Sequence, residues 1–127
     1  MIITARKPYG MIKSKLNKKD KIGIVSCNSC ARMCETGGKK AMRKLAERLK
    51  KDGFNVVDTD LIGIACDFDR LKKEELNGNV TIVLACDAGV YNLKKLFPKR
   101  KIIAALNTVG LGAWDQKGNI VLVSKFR

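Results

Sequence analysis

The chain has 127 residues, 46% of them apolar, and we expect residues 1–127 to form one domain around one hydrophobic core. No apolar run is long enough to span a membrane, and lysines and arginines interrupt residues 1–20, which argues against a secretory signal and a membrane partner. The formal net charge of +14, from 26 basic and 12 acidic residues, raises the question of an anionic partner.

Helices and strands are predicted to alternate along the chain. The first predicted element is a helix over 8–16, which Pro8 begins. Three predicted helices follow, over 39–51, 68–76 and 89–97, and Gly53 and Pro98 end the first and last of these. The strands that alternate with them are predicted over 21–25, 54–59, 80–85 and 101–106, with an additional edge strand over 118–124.

This alternation indicates an α/β fold. Parallel neighbouring strands need a crossover connection, which a helix supplies. We therefore predict a Rossmann-like open parallel sheet with helices on both faces. The G-x-G-x-x-G fingerprint of dinucleotide-binding sheets is missing, because Gly37 and Gly38 are adjacent and Gly23 lies within a predicted strand.

Cysteine is the most informative residue type in this chain. There are five cysteines and no histidine: Cys27, Cys30, Cys34, Cys66 and Cys86. The first three form a C-x2-C-x3-C cluster. Thiolates select iron–sulfur clusters or zinc, so we predict an all-sulfur metal centre. An odd number of cysteines without a secretory signal argues against disulfides and favours the reducing cytoplasm.

The predicted fold brings these cysteines to one edge of the sheet. Cys27 follows the first predicted strand of the sheet, Cys66 lies after the second, and Cys86 follows the third. Ligands of open α/β sheets bind outside the carboxyl ends of the strands, so we expect the metal site there. Cys30 and Cys34 are four residues apart and share a helix face, which favours them as ligands and leaves Cys27 as the spare thiol.

Two other interpretations of the cysteines remain open. A free cysteine is often a small buried hydrophobe, which is a real alternative for Cys66 and Cys86. Cys27 and Cys30 also have the C-x2-C spacing of a thioredoxin-like redox pair. The glycine-rich segment Thr36, Gly37 and Gly38 is predicted to donate backbone N–H groups to a cluster or another anion, or else simply to cap the following helix.

Five segments together resemble the MetV family, the cysteine-rich C-terminal domain of methylenetetrahydrofolate reductase found in anaerobes. The segments are 1–9, 25–38, 66–67, 86–90 and 105–112, and the cysteine-rich one is the most specific. Longer members continue into a ferredoxin-like tail that this sequence lacks, so the resemblance is to a short form. Asp87 stands where the family usually has glycine, which places a negative charge beside the expected centre.

The resemblance implies a cysteine-bound 4Fe-4S cluster and a partner, a flavin-dependent methylenetetrahydrofolate reductase subunit. The chain would then be an accessory or electron-transfer subunit. Without histidine or paired carboxylates no catalytic residues are predicted, so turnover would need the partner. The alternatives are a structural zinc-binding scaffold and a basic nucleic-acid-binding module. The basic residues are scattered and lack interleaved aromatic residues, which argues against the second.

Overall fold

The computed structural model describes residues 1–126. These residues form strands and helices with the bounds β1 Ile2–Arg6, α1 Tyr9–Lys13, β2 Lys21–Cys27, α2 Cys30–Met33, α3 Gly38–Lys51, β3 Asn55–Ile62, α4 Phe68–Leu71, β4 Val80–Leu84, α5 Asp87–Leu96, β5 Lys101–Ala104, β6 Leu106–Trp114 and β7 Ile120–Lys125. The predicted helices 8–16 and 68–76 are shorter than expected. The remaining helices and the four predicted strands of the parallel sheet lie close to their predicted positions.

The central sheet is parallel, as predicted, with strand order β3-β2-β4-β5. Ile24 of β2 lies opposite Thr59 of β3 on one side and opposite Ile82 of β4 on the other. Every residue of β4 is buried, and side chains alternate between the two faces of a strand, so both faces of the sheet are covered. Helix α3 packs on β2 and β3, whereas α5 packs on β5 and on α4.

A second sheet, which the sequence did not predict, is antiparallel with order β1-β6-β7. The predicted edge strand 118–124 corresponds to β7, but it pairs with β6 and not with the parallel sheet. Two glycines make the strand pattern of β6 weak, and each permits a close approach: Gly110 packs on the backbone of β7 and Gly112 on the side chain of Ile3.

A buried hydrogen bond connects the antiparallel sheet to the cysteine-rich segment. The hydroxyl oxygens of Thr4, in β1, and Thr36, in the turn before α3, lie 2.6 Å apart. At the other end of β1, the N–H of Lys7 donates to the carbonyl of Ala105, 3.0 Å away. Strand β1 therefore lies beside the carboxyl ends of the parallel strands, where the site was predicted. Within residues 1–126, no helix is long and apolar enough to cross a membrane.

Candidate metal centre

All five cysteines lie at or after the carboxyl ends of three neighbouring parallel strands. Cys27 is the last residue of β2, and Cys30 begins α2. Cys34 is the residue that caps the carboxyl end of α2. Cys66 lies in the loop between β3 and α4, and Cys86 directly precedes α5. The expectation that the fold gathers these residues along one edge of the sheet agrees with their positions.

The thiols of Cys86, Cys27 and Cys30 lie close enough to Cys66 to affect its titration. Cys66 is exposed as a residue, but the pKa of its thiol is raised, first by partial desolvation of the sulfur and then by the thiols of Cys86, Cys27 and Cys30, in that order of importance. Cys34 does not contribute to the shift. Thiols gathered in this way resist deprotonation, because the thiolates that form would repel one another. A bound cation would offset that repulsion.

A glycine in α5 brings Cys66 next to Cys86. A Cβ atom on Gly89 would lie 2.8 Å from the Cβ of Ala65 and 3.0 Å from that of Ala85. One turn further along the helix, the side-chain amide of Asn92 donates to the carbonyl of Ala65 at 3.3 Å. The loop that carries Cys66 therefore packs directly against the start of α5. Sequence reasoning did not identify Asn92, and it treated Gly89 only as the start of the predicted helix 89–97 and as part of the segment 86–90.

Cys30 and Cys34 share a face, as predicted, but that face is turned toward β1. The N–H of Ile2 donates to Cys30 Sγ at 3.5 Å, and Cys34 Sγ donates to the carbonyl of Ile2 at 3.6 Å. The neighbouring residue Met1 exchanges hydrogen bonds with Gly112 of β6. Successive residues of a strand point their backbone groups to opposite sides, so the two thiols cover the free edge of β1.

The thiols are chemically suitable metal ligands, but they do not surround a single point in this structure. Cys27 is buried, Cys30 and Cys86 are half-buried, and Cys66 is exposed. Within residues 1–126, the structure forms no group of three or more Cys, Asp or Glu side chains that could hold a metal ion. Soft thiol donors fit an iron–sulfur cluster or zinc by chemistry. Binding either group would require the thiols to lie closer together than they do in this structure.

The backbone N–H groups of the glycine-rich segment have acceptors within the chain. The N–H groups of Thr36 and Gly37 both donate to the carbonyl of Ala31, at 3.0 and 2.9 Å, and that of Gly38 donates to Ser26 Oγ at 2.7 Å. The bonds from Thr36 and Gly37 close the end of α2, the bond from Gly38 joins the start of α3 to β2, and the N-cap residue of α3, Gly37, makes no side-chain cap hydrogen bond.

The glycines of this segment are required by the fold itself. A Cβ on Gly37 would lie 2.8 Å from both the Cβ of Ala31 and Ser26 Oγ, and Gly38 has a φ of +87°. Few residues other than glycine adopt that conformation.

Asp87, the predicted negative charge beside the centre, lies at the first position of α5. Its N–H donates to Thr108 Oγ1 in β6 at 2.9 Å, which brings the antiparallel sheet against the Cys86 segment.

In comparisons with protein-family models, curated proteins and solved structures, no match to this chain was found. The resemblance to the MetV family therefore stays a prediction.

Proposed function

We propose that this chain is an iron–sulfur accessory or electron-transfer subunit of a methylenetetrahydrofolate or methylene-pterin reductase complex. The observation that supports this most directly is that four cysteines lie at or after the carboxyl ends of β2, β3 and β4, along one edge of the sheet. The packing of Gly89 on Ala65 and Ala85 brings together the two segments that carry Cys66 and Cys86. The resemblance of the cysteine-rich segment to the MetV family supplies the identity of the complex.

The cluster ligands in this proposal are Cys27, Cys30, Cys66 and Cys86, with Cys34 as the spare. This choice differs from the sequence-based preference for Cys34 over Cys27. The reasons are that Cys34 Sγ donates to the carbonyl of Ile2 at 3.6 Å, at the edge of β1, and that Cys27, and not Cys34, contributes to the pKa shift of Cys66. A bound 4Fe-4S cluster would supply one-electron transfer. The exposure of Cys66 gives a partner access to that side of the site.

Turnover in this proposal takes place on a partner, a flavin-dependent methylenetetrahydrofolate reductase subunit in the cytoplasm. The chain has no histidine for acid–base chemistry. Its net charge of +14 would favour association with an acidic protein surface.

Metal analysis of protein purified without oxygen tests the cofactor. We expect iron and acid-labile sulfide in equal amounts, with the broad brown absorption of a cluster. A colourless protein that contains zinc would instead support the structural zinc scaffold, which needs the same four thiolates. Protein that contains neither metal after expression with ample iron would refute both.

Affinity capture from the native host under anaerobic conditions tests the partner. We expect a flavoprotein to be enriched at low salt and lost as salt rises, because the Debye length falls from about 10 Å at 0.1 M to about 3 Å at 1 M. Capture of nucleic acid in its place would favour the basic nucleic-acid-binding module. Recovery of the chain alone at every salt concentration would contradict the proposed role but leave the cluster in place.

A further inference from the structure

A cavity of about 350 Å³ is lined by α1 and α3 and reaches the carboxyl ends of β4 and β5, and no cysteine lines it. Its floor is apolar and includes Ile12 of α1, Leu84 at the end of β4, and Ala105 just after β5. Helix α3 forms a wall with Ala41 and Leu45. Ligands of open α/β sheets bind at this end of the strands, next to the point where the chain changes direction across the sheet. Here that point is between β2 and β4.

The rim of this cavity is positively charged. Four cationic side chains line it, namely Arg6, Lys7, Lys44 and Arg48, and no carboxylate does. A second cavity, of about 410 Å³, shares Arg6 and Lys44 with the first. It adds Arg32, Lys39 and Lys40, with Glu35 as the one carboxylate. Within residues 1–126, none of these seven cations forms an ion pair with a carboxylate.

Two of the arginines are held in place by contacts that leave donors available. Arg6 Nη2 donates to the carbonyl of Glu35 at 2.8 Å, which uses one of its five N–H groups. The Arg48 guanidinium stacks on the ring of Tyr9, 3.8 Å from its centroid. A stacked guanidinium keeps its in-plane N–H groups free for a carboxylate or phosphate. The rim is thus partly organised to accept anionic groups.

We propose that these joined cavities bind a small organic molecule with an apolar body and at least two negative charges. The apolar body would lie on the floor of the first cavity. The charged groups would lie between Arg6, Lys44 and Arg48, at the junction with the second cavity. The shared chemistry is an anionic oxygen group, either phosphate or carboxylate, because both accept paired N–H groups from arginine. This site does not depend on the thiol centre or on the proposed reductase complex.

Titration of the purified chain with simple probes, followed by amide-resolved NMR, tests the proposal. The probes are naphthyl phosphate and naphthalene dicarboxylate, with naphthol and inorganic phosphate as the apolar and charged halves alone. We expect saturable shifts around Thr36, Ala41 and Ala105 with at least one of the two anions, about tenfold tighter than with either half. Tighter binding of one anion would identify the preferred charged group. The absence of saturable shifts with both anions would overturn the proposal.

Three variants locate the binding. Lys44→Ala and Arg48→Ala should each weaken it by about fivefold to tenfold, as expected for loss of a charge-assisted hydrogen bond. Ala41→Leu keeps a strong helix former and extends the α3 wall into the cavity, so it should weaken binding without lowering the melting temperature. Lys94→Ala is the control. This substitution removes one positive charge from α5, and Lys94 lines neither cavity. Equal weakening by Lys94→Ala, or shifts confined to β6 and β7, would also overturn the proposal.

Discussion

The thiol of Cys34 donates a hydrogen bond to the carbonyl oxygen of Ile2 across 3.6 Å, and so connects the end of α2 to the free edge of β1. Cys30, four residues earlier, accepts from the N–H of the same residue. The sequence pattern predicts that these two cysteines are metal ligands, but in this structure both form hydrogen bonds with the backbone of β1. The two cysteines differ in their effect on Cys66: Cys30 contributes to the raised pKa of its thiol, whereas Cys34 does not.

Serine substitutions should separate the ligands from the spare cysteine. Cys34→Ser retains a donor for the Ile2 carbonyl and should keep most of the iron, whereas Cys27→Ser and Cys86→Ser should lose it. Loss of the cluster should also lower the melting temperature, since metal binding contributes to folding. Iron content per chain after anaerobic purification measures the difference. Retention of iron in Cys27→Ser together with its loss in Cys34→Ser would restore the sequence-based assignment.

Replacement of Gly89 by alanine should disturb the site without changing any cysteine. The new methyl group would be 2.8 Å from Ala65 Cβ, so the Cys66 loop or α5 has to shift. We expect a loss of about 1–3 kcal/mol in the free energy of unfolding, the usual cost of overpacking. Iron content should fall as well.

Gly10→Ala is the matched control for this substitution. Gly10 lies in α1, and its added Cβ would meet nothing within 4 Å. That variant should be unchanged or more stable by up to about 1 kcal/mol. Denaturant unfolding measures both changes, and equal stability of the two variants would refute the close packing at Gly89.

Glu74→Gln should stabilise the protein at neutral pH. The pKa of Glu74 is raised, first by a hydrogen bond with Asp60, then by burial and by the charge of Asp60. A carboxyl group whose pKa is raised by folding stabilises the folded state at pH values below its ordinary pKa of 4.5. That stabilisation is lost as the pH rises through the pKa of the group in the folded state. Glutamine keeps a donor to Asp60 at every pH.

The melting temperature of Glu74→Gln should therefore exceed that of the unmodified protein at pH 7, and the two should converge near the ordinary pKa of 4.5. Glu75→Gln, at the neighbouring exposed position, removes the same charge. An equal gain in Glu75→Gln would mean that net charge, and not the pair with Asp60, sets the effect.

The buried hydroxyl pair of Thr4 and Thr36 should show strong coupling. Thr36 also donates to the carbonyl of Ala31 at 3.2 Å, so the hydroxyl of Thr4 is the donor between the two. Thr36→Val would leave that donor buried without an acceptor, at a cost of about 1–3 kcal/mol. The double variant with Thr4→Val should recover part of the loss. A double-mutant cycle from denaturant unfolding measures this, and simple additivity would contradict the coupling.

The amino-acid sequence by itself determined the parallel core of this protein. The strands β2 and β4 are mostly apolar and β-branched, and α3 has the helical period, so local pattern alone identifies these elements. Once β2 and β4 are predicted correctly, Cys27 and Cys86 follow at their carboxyl ends, because the location of a residue at the end of a strand depends only on its position along the chain.

Tertiary structure decided the rest. Strands β1 and β6 pair across more than 100 residues, from Ile2 to Leu111, and no local pattern encodes so distant a partner. That pairing brings the edge of β1 to α2, which gives Cys34 a backbone acceptor and separates its role from that of Cys30. The cationic cavities likewise combine Arg6, from β1, with Lys44 and Arg48, from α3. Spacing along the chain predicts which residues share a helix face, but only packing determines what that face contacts.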